Sequence, residues 1–293
     1  MAEVPLNQAV SRVPVETWEE IIALAVYDPS PFDLVDQWAY IHSRRARKRL
    51  RLGQQDFRTR ISKLSCVCRS WRDLTARLVD QFLEIRTHDE LTRLRSARSG
   101  HGCVERRRLD LYSCSWNFRA SHDSVLRDCR AILSRTRKLD VLSLVRMGVL
   151  AAPDKFLLGI SDLLSGLKAL EYVAATGRGV DGEKVSALAM GYRSLQYLSC
   201  DITVLSDAFS NTPVPTFPHL RTLRTFVHAP PRLPDGFEEW LANWETPALK
   251  NLSLTHPLGY DDWKWLCALL KKNGRTLESI QFSVNSVTSF REM

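Results

Sequence analysis

The sequence lacks the features that mark an exported, membrane-bound or metal-binding chain. No apolar run approaches eighteen residues, and residues 1–10 show no basic segment followed by an apolar stretch. The seven cysteines include no Cys-x-x-Cys pair, and Cys66 and Cys68 lie too close together to act as paired metal ligands on one helix. We therefore expect reduced thiols in a cytoplasmic or nuclear protein, with no membrane partner and no metal.

Motifs for the common catalytic chemistries are also missing. The seven histidines show no His-Glu-x-x-His spacing, and the chain contains neither Gly-x-Ser-x-Gly nor a phosphate-binding loop. The sequence thus gives no indication of acyl or phosphoryl transfer. We expect a protein that is not an enzyme, with no catalytic residue and no cofactor.

Positive charge is concentrated in one short segment. The net charge is +8, and six of these charges come from Arg44, Arg45, Arg47, Lys48, Arg49 and Arg51. The rest of the chain carries little excess charge, so nucleic acid is not expected as a partner. The run itself has three interpretations: a nuclear import signal or patch for an acidic partner, a phosphate contact, or a solvated insertion between helices.

A leucine-spaced sextet recurs along most of the chain. Its copies begin at Leu139, Leu170, Leu195, Leu220, Leu249 and Leu277, with a weaker one at Arg106. The central apolar residues are spaced by 33, 31, 25, 25, 29 and 28 positions, close to leucine-rich repeat lengths. Repeats of this kind are typical of solenoids that bind other proteins.

Each sextet alternates in the manner of a strand, and helix-like stretches lie between the sextets. The first third instead shows helical spacing, as in Ile61, Leu64, Cys68 and Trp71. We predict an α+β protein: a small all-α module, then an α/β leucine-rich-repeat-like solenoid with a curved parallel sheet and helices outside. The expected boundaries are a tail at 1–12, a helical module at 13–82 with a basic insertion at about 28–56, and the solenoid at 83–293.

Strand alternation predicts which side chains line the exposed concave sheet. The apolar sextet positions should point inward, and the residues between and just after them should point outward. Aromatic and arginine side chains dominate interface energetics. The predicted binding residues are Tyr112, Tyr172, Tyr197, Arg224 and Phe226.

One glycine-rich segment has the spacing of a dinucleotide-binding fingerprint. Gly177-Arg-Gly179-Val-Asp-Gly182 follows a predicted strand and precedes a helix, and Asp201 follows nineteen residues later. A repeat also supplies strand, turn and helix in this order. The segment therefore indicates either a glycine-rich turn of one repeat or, less favoured, a nucleotide-binding enzyme.

The helical module carries a family resemblance in two blocks. Val13-Pro14-Val-Glu-Thr-Trp18-Glu-Glu-Ile21-Ile22 resembles the opening Leu-Pro-x-Glu-Ile-Leu-x-x-Ile-Phe of the F-box family. Leu64-Ser-Cys-Val67-Cys68-Arg-Ser-Trp71-Arg-Asp-Leu74 is similar to the closing Leu-x-x-Val-Cys-Arg-x-Trp-Arg-x-Leu. Leucine-rich repeats commonly follow such a module in this family. The long insertion resembles those of fungal F-box proteins.

The resemblance implies a substrate-recognition subunit of an SCF-type ubiquitin ligase. The module would dock on a Skp-family adaptor and through it on a cullin ligase, and the repeats would bind an unknown protein substrate. The implied adaptor-binding residues are Val13, Pro14, Trp18, Ile21, Ile22, Leu64, Val67, Cys68 and Trp71. The alternative is a nuclear leucine-rich-repeat interaction scaffold that recruits no ligase, and a dinucleotide-binding enzyme is a distant third.

Overall fold

The computed structural model describes most of the chain beyond residue 54 and a few residues before it. The described residues are 14, 16–18, 21–22, 55–57, 59–79, 81–96, 104–112, 122–145, 153–173, 179–203, 209, 212–228, 236–257 and 264–285. Backbone contacts divide the chain into two compact units, Met1–Phe82 and Leu83–Met293.

The described part of the first unit is helical up to its last residues. Helical segments lie at 16–18, 21–22, 55–57 and 59–65, and helix α1 spans Arg69–Val79. Trp71, Leu74 and Leu78 lie on one face of α1, because residues three and four apart in a helix share a face. This face packs against a cluster of buried apolar side chains formed by Ile22, Phe57, Ile61 and Phe82.

The second unit alternates strands with helices. Its first half contains β1 (Phe82–Ile85, which begins at the unit boundary), α2 (His88–Ser96), β2 (Val104–Glu105), β3 (Arg108–Tyr112), α3 (His122–Leu133), β4 (Thr136–Arg137), β5 (Val141–Val145), α4 (Pro153–Ile160) and β6 (Ala169–Val173). Its second half contains β7 (Val180–Asp181), α5 (Val185–Gly191), β8 (Tyr197–Thr203), β9 (Thr222–His228), α6 (Phe237–Ala242), β10 (Asn251–Pro257), α7 (Lys264–Asn273) and β11 (Ser279–Asn285).

Nine of the described strands form one parallel sheet. Eight follow the order β1-β3-β5-β6-β8-β9-β10-β11, and β7 pairs with β8 beside this path. A separate parallel pair joins β2 to β4. Helices α2 to α7 lie in the crossovers between successive strands of this order, except that residues 204–221 connect β8 to β9. Parallel pairing requires such long connections. The predicted α+β composition with a parallel sheet is thus confirmed.

The strand register aligns one apolar residue of each repeat across the sheet. The aligned row consists of Leu109, Leu142, Leu170, Leu198, Leu223, Leu252 and Ile280. These residues are spaced by 33, 28, 28, 25, 29 and 28 positions. The spacing between aligned residues is more regular than the spacing predicted from the sequence. The difference arises because one copy of the sextet begins at a different residue from the one predicted.

The shifted copy is the one predicted to begin at Leu170. Leu170 pairs with Leu142 and Leu198, so it occupies the central position of the sextet, and the copy begins at Leu167. Tyr172 consequently aligns with Leu144 and Cys200 in the next inward row. The prediction that Tyr172 faces outward is therefore wrong: its side chain lies on the inward face of the strand.

The inward rows form the main hydrophobic core together with the helices. Leu109 and Leu142 of the sheet belong to the same buried cluster as Val125 of α3 and Phe156 of α4. Further along the chain, Trp240 and Trp244 lie in this cluster, with ring centroids 5.3 Å apart and nearly perpendicular planes. Edge-to-face aromatic pairs of this kind add to the stabilisation from burial.

A repeated backbone hydrogen-bond pattern fixes where each strand begins. The carbonyl oxygen of Arg107 accepts two N–H groups, from Asp140 and Val141, both at 2.9 Å. The carbonyl of the residue preceding the strand plays the same role in five further places, at Asp140, Lys168, Gln196, Arg221 and Lys250. Each accepts from the two corresponding residues of the next repeat. The second residue of each sextet therefore lies at the same edge of the sheet.

Candidate functional site

The two motif blocks of the first unit meet through their tryptophans. The ring centroids of Trp18 and Trp71 are 5.4 Å apart, with planes inclined by 54°. The backbone N–H of Trp18 donates to the carbonyl of Pro14 at 3.2 Å, which forms the first turn of a helix. Proline suits this position because its missing N–H would have no intrahelical partner there. The opening and closing blocks are thus neighbours in space.

Some of the motif residues belong to the core of the first unit. Ile22 is buried, and Leu64 and Trp71 pack against its cluster. Trp18 and Cys68 are partly exposed. The burial of Ile22 assigns it a packing role, because a side chain enclosed within its own unit offers little area to a partner.

Three other motif residues project into solvent. Pro14 is exposed, and the exposed fractions of Ile21 and Val67 are 42% and 58%. Val67 lies in the turn before α1, where its N–H donates to the carbonyl of Leu64 at 3.1 Å. The N–H of Arg72 then donates to the carbonyl of Cys68 at 3.0 Å as α1 begins. This turn holds Val67 outward.

Two of the predicted features lie outside the described residues. One is Val13, the first residue of the opening block. The other is the basic run formed by Arg44, Arg45, Arg47, Lys48, Arg49 and Arg51. Their predicted roles in adaptor binding and nuclear import remain predictions.

The sheet of the second unit has two faces, and the leucine rows lie on one of them. We call the opposite face the polar face. Its rows follow the register: Arg108, Val141, Ala169, Tyr197, Thr222, Asn251 and Ser279 in one, and Asp110, Ser143, Glu171, Ser199, Arg224, Ser253 and Gln281 in the other. The side chains on β3 and β5 are buried, whereas Gln281 on β11 is exposed. The prediction that the whole face is exposed is therefore wrong for these strands, and it is also wrong for Ser199, Thr222 and Ser253 further along the sheet.

An ion pair lies buried at the start of the polar face. Arg108 and Asp110 are 1% and 0% exposed. Nε of Arg108 donates to Oδ1 of Asp110 at 2.8 Å, and Nη2 donates to Oδ2 at 3.2 Å. Burial raises the pKa of Asp110, and the adjacent guanidinium opposes that rise. The two hydrogen bonds satisfy both carboxylate oxygens, which a buried charge requires.

Polar contacts continue across the next strands. The hydroxyl of Ser143 donates to Oε2 of Glu171 at 2.8 Å. Burial raises the pKa of Tyr197, and the nearby charge of Glu171 contributes to the rise. Burial likewise raises the pKa of Tyr112, with a contribution from Asp110. Both phenols are therefore neutral at physiological pH and can act as hydrogen-bond donors or acceptors.

The structure separates the five predicted binding residues into two groups. Tyr172 and Tyr197 are each 1% exposed, so the prediction that they are accessible is wrong. Tyr172 packs in the leucine-lined core, and Tyr197 is a buried residue of the polar face. Tyr112, Arg224 and Phe226 are partly exposed.

Arg224 has an unusual environment within this second group. It lies beside Ser199 on one side and Ser253 on the other, and Phe226 follows two residues later on the same face of β9. Nη1 of Arg224 is buried and has no acceptor among the residues that the structure describes. A buried donor without an acceptor is costly.

A charged row at the sheet edge was not predicted from the sequence. Oδ2 of Asp140 accepts from Nε of Arg107 at 3.0 Å, and Oδ1 lies 2.8 Å from Nζ of Lys168. Partial burial acts to raise the pKa of Asp140, but hydrogen bonds from Lys168 and Arg107 outweigh it and hold the pKa below its usual range. A signal for this row was available in the sequence. The side-chain charge of the second sextet residue alternates from positive to negative to positive at Arg107, Asp140 and Lys168.

The glycine-rich segment is explained by close packing of the backbone. Gly177 lies outside the described residues. A Cβ at Gly179 would overlap the carbonyl of Asp201 and lie 2.8 Å from the N atom of Ile202. At Gly182 it would lie 2.9 Å from the ring of Phe209. The two glycines thus permit β7 to approach its neighbours, as expected for a turn of one repeat.

The described residues provide neither a metal cluster nor a membrane-spanning element. No group of three histidine, cysteine or acidic side chains within them is placed to hold a metal ion. None of the helices within them is long and apolar enough to cross a membrane.

The thiols of Cys129 and Cys200 are buried, and burial raises the pKa of each.

Comparisons with protein-family models, with curated proteins and with solved structures give no match for this chain.

Proposed function

We propose that this chain is the substrate-recognition subunit of an SCF-type (cullin-RING) ubiquitin ligase. In this proposal the first unit is an F-box module that docks on a Skp-family adaptor. The second unit is a leucine-rich-repeat-like solenoid, with a curved sheet and helices outside, that binds a protein substrate. The chain would supply proximity between the substrate and a ubiquitin-charged enzyme, and the chemistry would belong to that enzyme.

The arrangement of the two motif blocks is the observation that carries the proposal. The Trp18–Trp71 contact brings the blocks together. Ile21 and Val67, one from each block, are exposed although both are large and apolar. Single exposed apolar residues are common on protein surfaces. Two of them at the F-box motif positions, on blocks that pack together, support a docking role.

The regular strand register supports the second half of the proposal. Five of the six spacings along the central leucine row lie between 25 and 29 residues, within or at the limit of leucine-rich repeat lengths. Tyr112, Arg224 and Phe226 are the partly exposed residues proposed for the substrate contact, since arginine and aromatic side chains dominate interface energetics.

Co-purification of the full chain with a Skp-family adaptor tests the adaptor half. We expect the unmodified chain to retain the adaptor on a column. The double variant Ile21→Asp/Val67→Asp should reduce retention at least tenfold, because interface hot spots contribute about 2 kcal/mol or more. Both side chains are exposed, so the variant should keep its circular dichroism spectrum.

A matched control places the same change on the second unit. Met190 and Val214 are 67% and 40% exposed, and Met190→Asp/Val214→Asp should leave adaptor retention unchanged. Failure of the unmodified chain to retain the adaptor would refute the ligase proposal and leave the nuclear scaffold as the alternative. Equal losses in the two double variants would show that retention does not depend on the motif positions.

A further inference from the structure

Two side chains of opposite charge lie apart on one row of the polar face. They are Glu171 on β6 and Arg224 on β9, and Ser199 of β8 lies between them in the register. Glu171 and Arg224 are partly exposed, whereas Ser199 is buried. Neighbouring strands of a sheet lie about 4.8 Å apart, so the backbone positions of the two charged residues are about 10 Å apart.

The guanidinium of Arg224 has no carboxylate partner among the residues that the structure describes. Asp201 lies on the same face of the sheet, but its partner in the register is Phe226. The charge of Arg224 acts on Tyr197, and burial keeps that phenol neutral by raising its pKa. The positive charge of Arg224 is therefore not compensated within the described part of the chain.

The carboxylate of Glu171 also lacks a cation. Its Oε2 atom accepts from the hydroxyl of Ser143 at 2.8 Å, which orients the carboxylate without neutralising it. The charge of Arg108 acts at a distance, but Arg108 is 1% exposed and donates two hydrogen bonds to Asp110. No lysine or arginine among the described residues forms an ion pair with Glu171. The row thus carries an anion and a cation at a separation that the sheet fixes.

We propose that Glu171 and Arg224 together bind a substrate segment that presents one basic and one acidic side chain on the same side, about 10 Å apart. The basic side chain would pair with Glu171 and the acidic one with Arg224. A ligand of a single charge sign would meet repulsion at one of the two positions, which favours a protein segment of mixed charge. This inference rests on the proposed function, because it names the chemistry of the substrate that the second unit would bind.

A polyproline II peptide has the spacing that the pair requires. Its rise of about 3.1 Å per residue and three residues per turn place residues i and i+3 on one side, about 9 Å apart. The probe is fluorescein-labelled GGKPPEGG, titrated with the full chain and followed by fluorescence anisotropy at low ionic strength, where exposed charges interact most strongly. GGQPPEGG lacks the basic side chain, and GGKPPQGG lacks the acidic one. We expect saturable binding of GGKPPEGG and binding about threefold weaker or more for each altered peptide.

Two protein variants assign each charge of the peptide to its partner. Glu171→Gln should weaken binding of GGKPPEGG by about threefold or more and leave binding of GGQPPEGG unchanged. Arg224→Gln should weaken binding of GGKPPEGG to a similar extent and leave binding of GGKPPQGG unchanged. The control Arg193→Gln/Glu239→Gln removes one charge of each sign from exposed sites elsewhere and should change binding by less than about twofold. Circular dichroism checks that each variant is folded.

Three results would overturn the proposal. The first is the absence of saturable binding by GGKPPEGG to the unmodified chain. The second is an equal loss of affinity in the control variant, which would indicate attraction by the overall field of the protein. The third is an equal loss for GGKPPEGG and for the matching altered peptide in Glu171→Gln or Arg224→Gln, because the two charges would then not be in contact.

Failure of this inference can be distinguished from failure of the proposed function. Adaptor retention depends on the motif positions of the first unit, whereas the peptide assay reports on the second. A chain that retains the adaptor but does not bind GGKPPEGG would refute this inference alone. A chain that binds GGKPPEGG as expected but retains no adaptor would refute the ligase proposal and keep the assignment of Glu171 and Arg224.

Discussion

Replacing Arg108 by methionine tests whether the buried ion pair is a structural unit of the sheet. Arg108→Met would leave the carboxylate of Asp110, which is fully buried, without the two donors that hold it at 2.8 and 3.2 Å. Removing one member of a buried pair costs about 3–5 kcal/mol, because the remaining charge is uncompensated. That loss is a large part of the roughly 5–15 kcal/mol that separates folded from unfolded domains.

The assay is urea unfolding at pH 7, followed by circular dichroism. Free energies of unfolding are compared only where the slope of the free energy against urea concentration is the same in both proteins. Arg107→Met is the matched control, since Arg107 is 42% exposed and its pair with Asp140 should contribute less than about 1 kcal/mol. The double variant Arg108→Met/Asp110→Leu should recover most of the loss, because it removes both charges. A single variant no less stable than the control would refute the reasoning.

The same variant has an expected pH dependence. Burial raises the pKa of Asp110 even with Arg108 present, and removal of the guanidinium takes away the main influence that lowers it. The penalty arises where the unfolded carboxyl is ionised, above its ordinary value of 3.8. At lower pH the group is protonated in both states, so the instability of Arg108→Met relative to the unmodified chain should shrink as pH falls through this value. A constant difference between pH 3 and pH 7 would contradict this assignment.

Three further predictions concern packing and charge at single positions. Gly179→Ala should destabilise the chain by about 2–3 kcal/mol in urea unfolding, because its Cβ would overlap the backbone of Asp201, whereas Gly166→Ala, with open space around it, should change stability by less than about 0.5 kcal/mol. Tyr172→Ala should lower the free energy of unfolding in urea by about 3–5 kcal/mol, because Tyr172 lies in the core. A loss below about 0.5 kcal/mol would instead indicate that Tyr172 faces solvent. The lowered pKa of Asp140 contributes stability above its ordinary value of 3.8 that is lost as pH falls through the folded value, so Asp140→Asn should cost about 1 kcal/mol at pH 7 and nothing near pH 2, as measured by thermal unfolding across this range.

The alternation of strands and helices could be predicted because the leucine frame repeats in the sequence. The seven strands that contain a sextet copy are all present in the sheet. Strand β1 carries no sextet copy, and β2, β4 and β7 are each two residues long without a periodic pattern, so none of these four strands was predicted. Their pairing depends on neighbours distant in sequence, as with Val104 and Thr136, which a local pattern does not contain.

The shift at Leu170 has a related cause. Both Leu167-x-x-Leu170 and Leu170-x-x-Val173 satisfy the local leucine spacing, so the sequence pattern fits either of two frames that differ by three residues. The choice is made by hydrogen bonding to the two neighbouring strands, which align Leu170 with Leu142 and Leu198. A displacement by an odd number of residues exchanges the two faces of a strand, which is why Tyr172 was placed on the wrong one.

Accessibility of the polar face required more than the strand period. Alternation assigns Arg108, Asp110 and Tyr197 correctly to the face opposite the leucines, but it says nothing about whether that face is exposed to water. All three are buried, so their polarity reflects pairing within the protein. A surface offered to a partner must reach solvent, and on β9 the side chains of Arg224 and Phe226 are partly exposed. The search for a substrate contact on this face therefore belongs at the residues that stay partly exposed, Tyr112 on β3 and Arg224 and Phe226 on β9, rather than at the buried Tyr197.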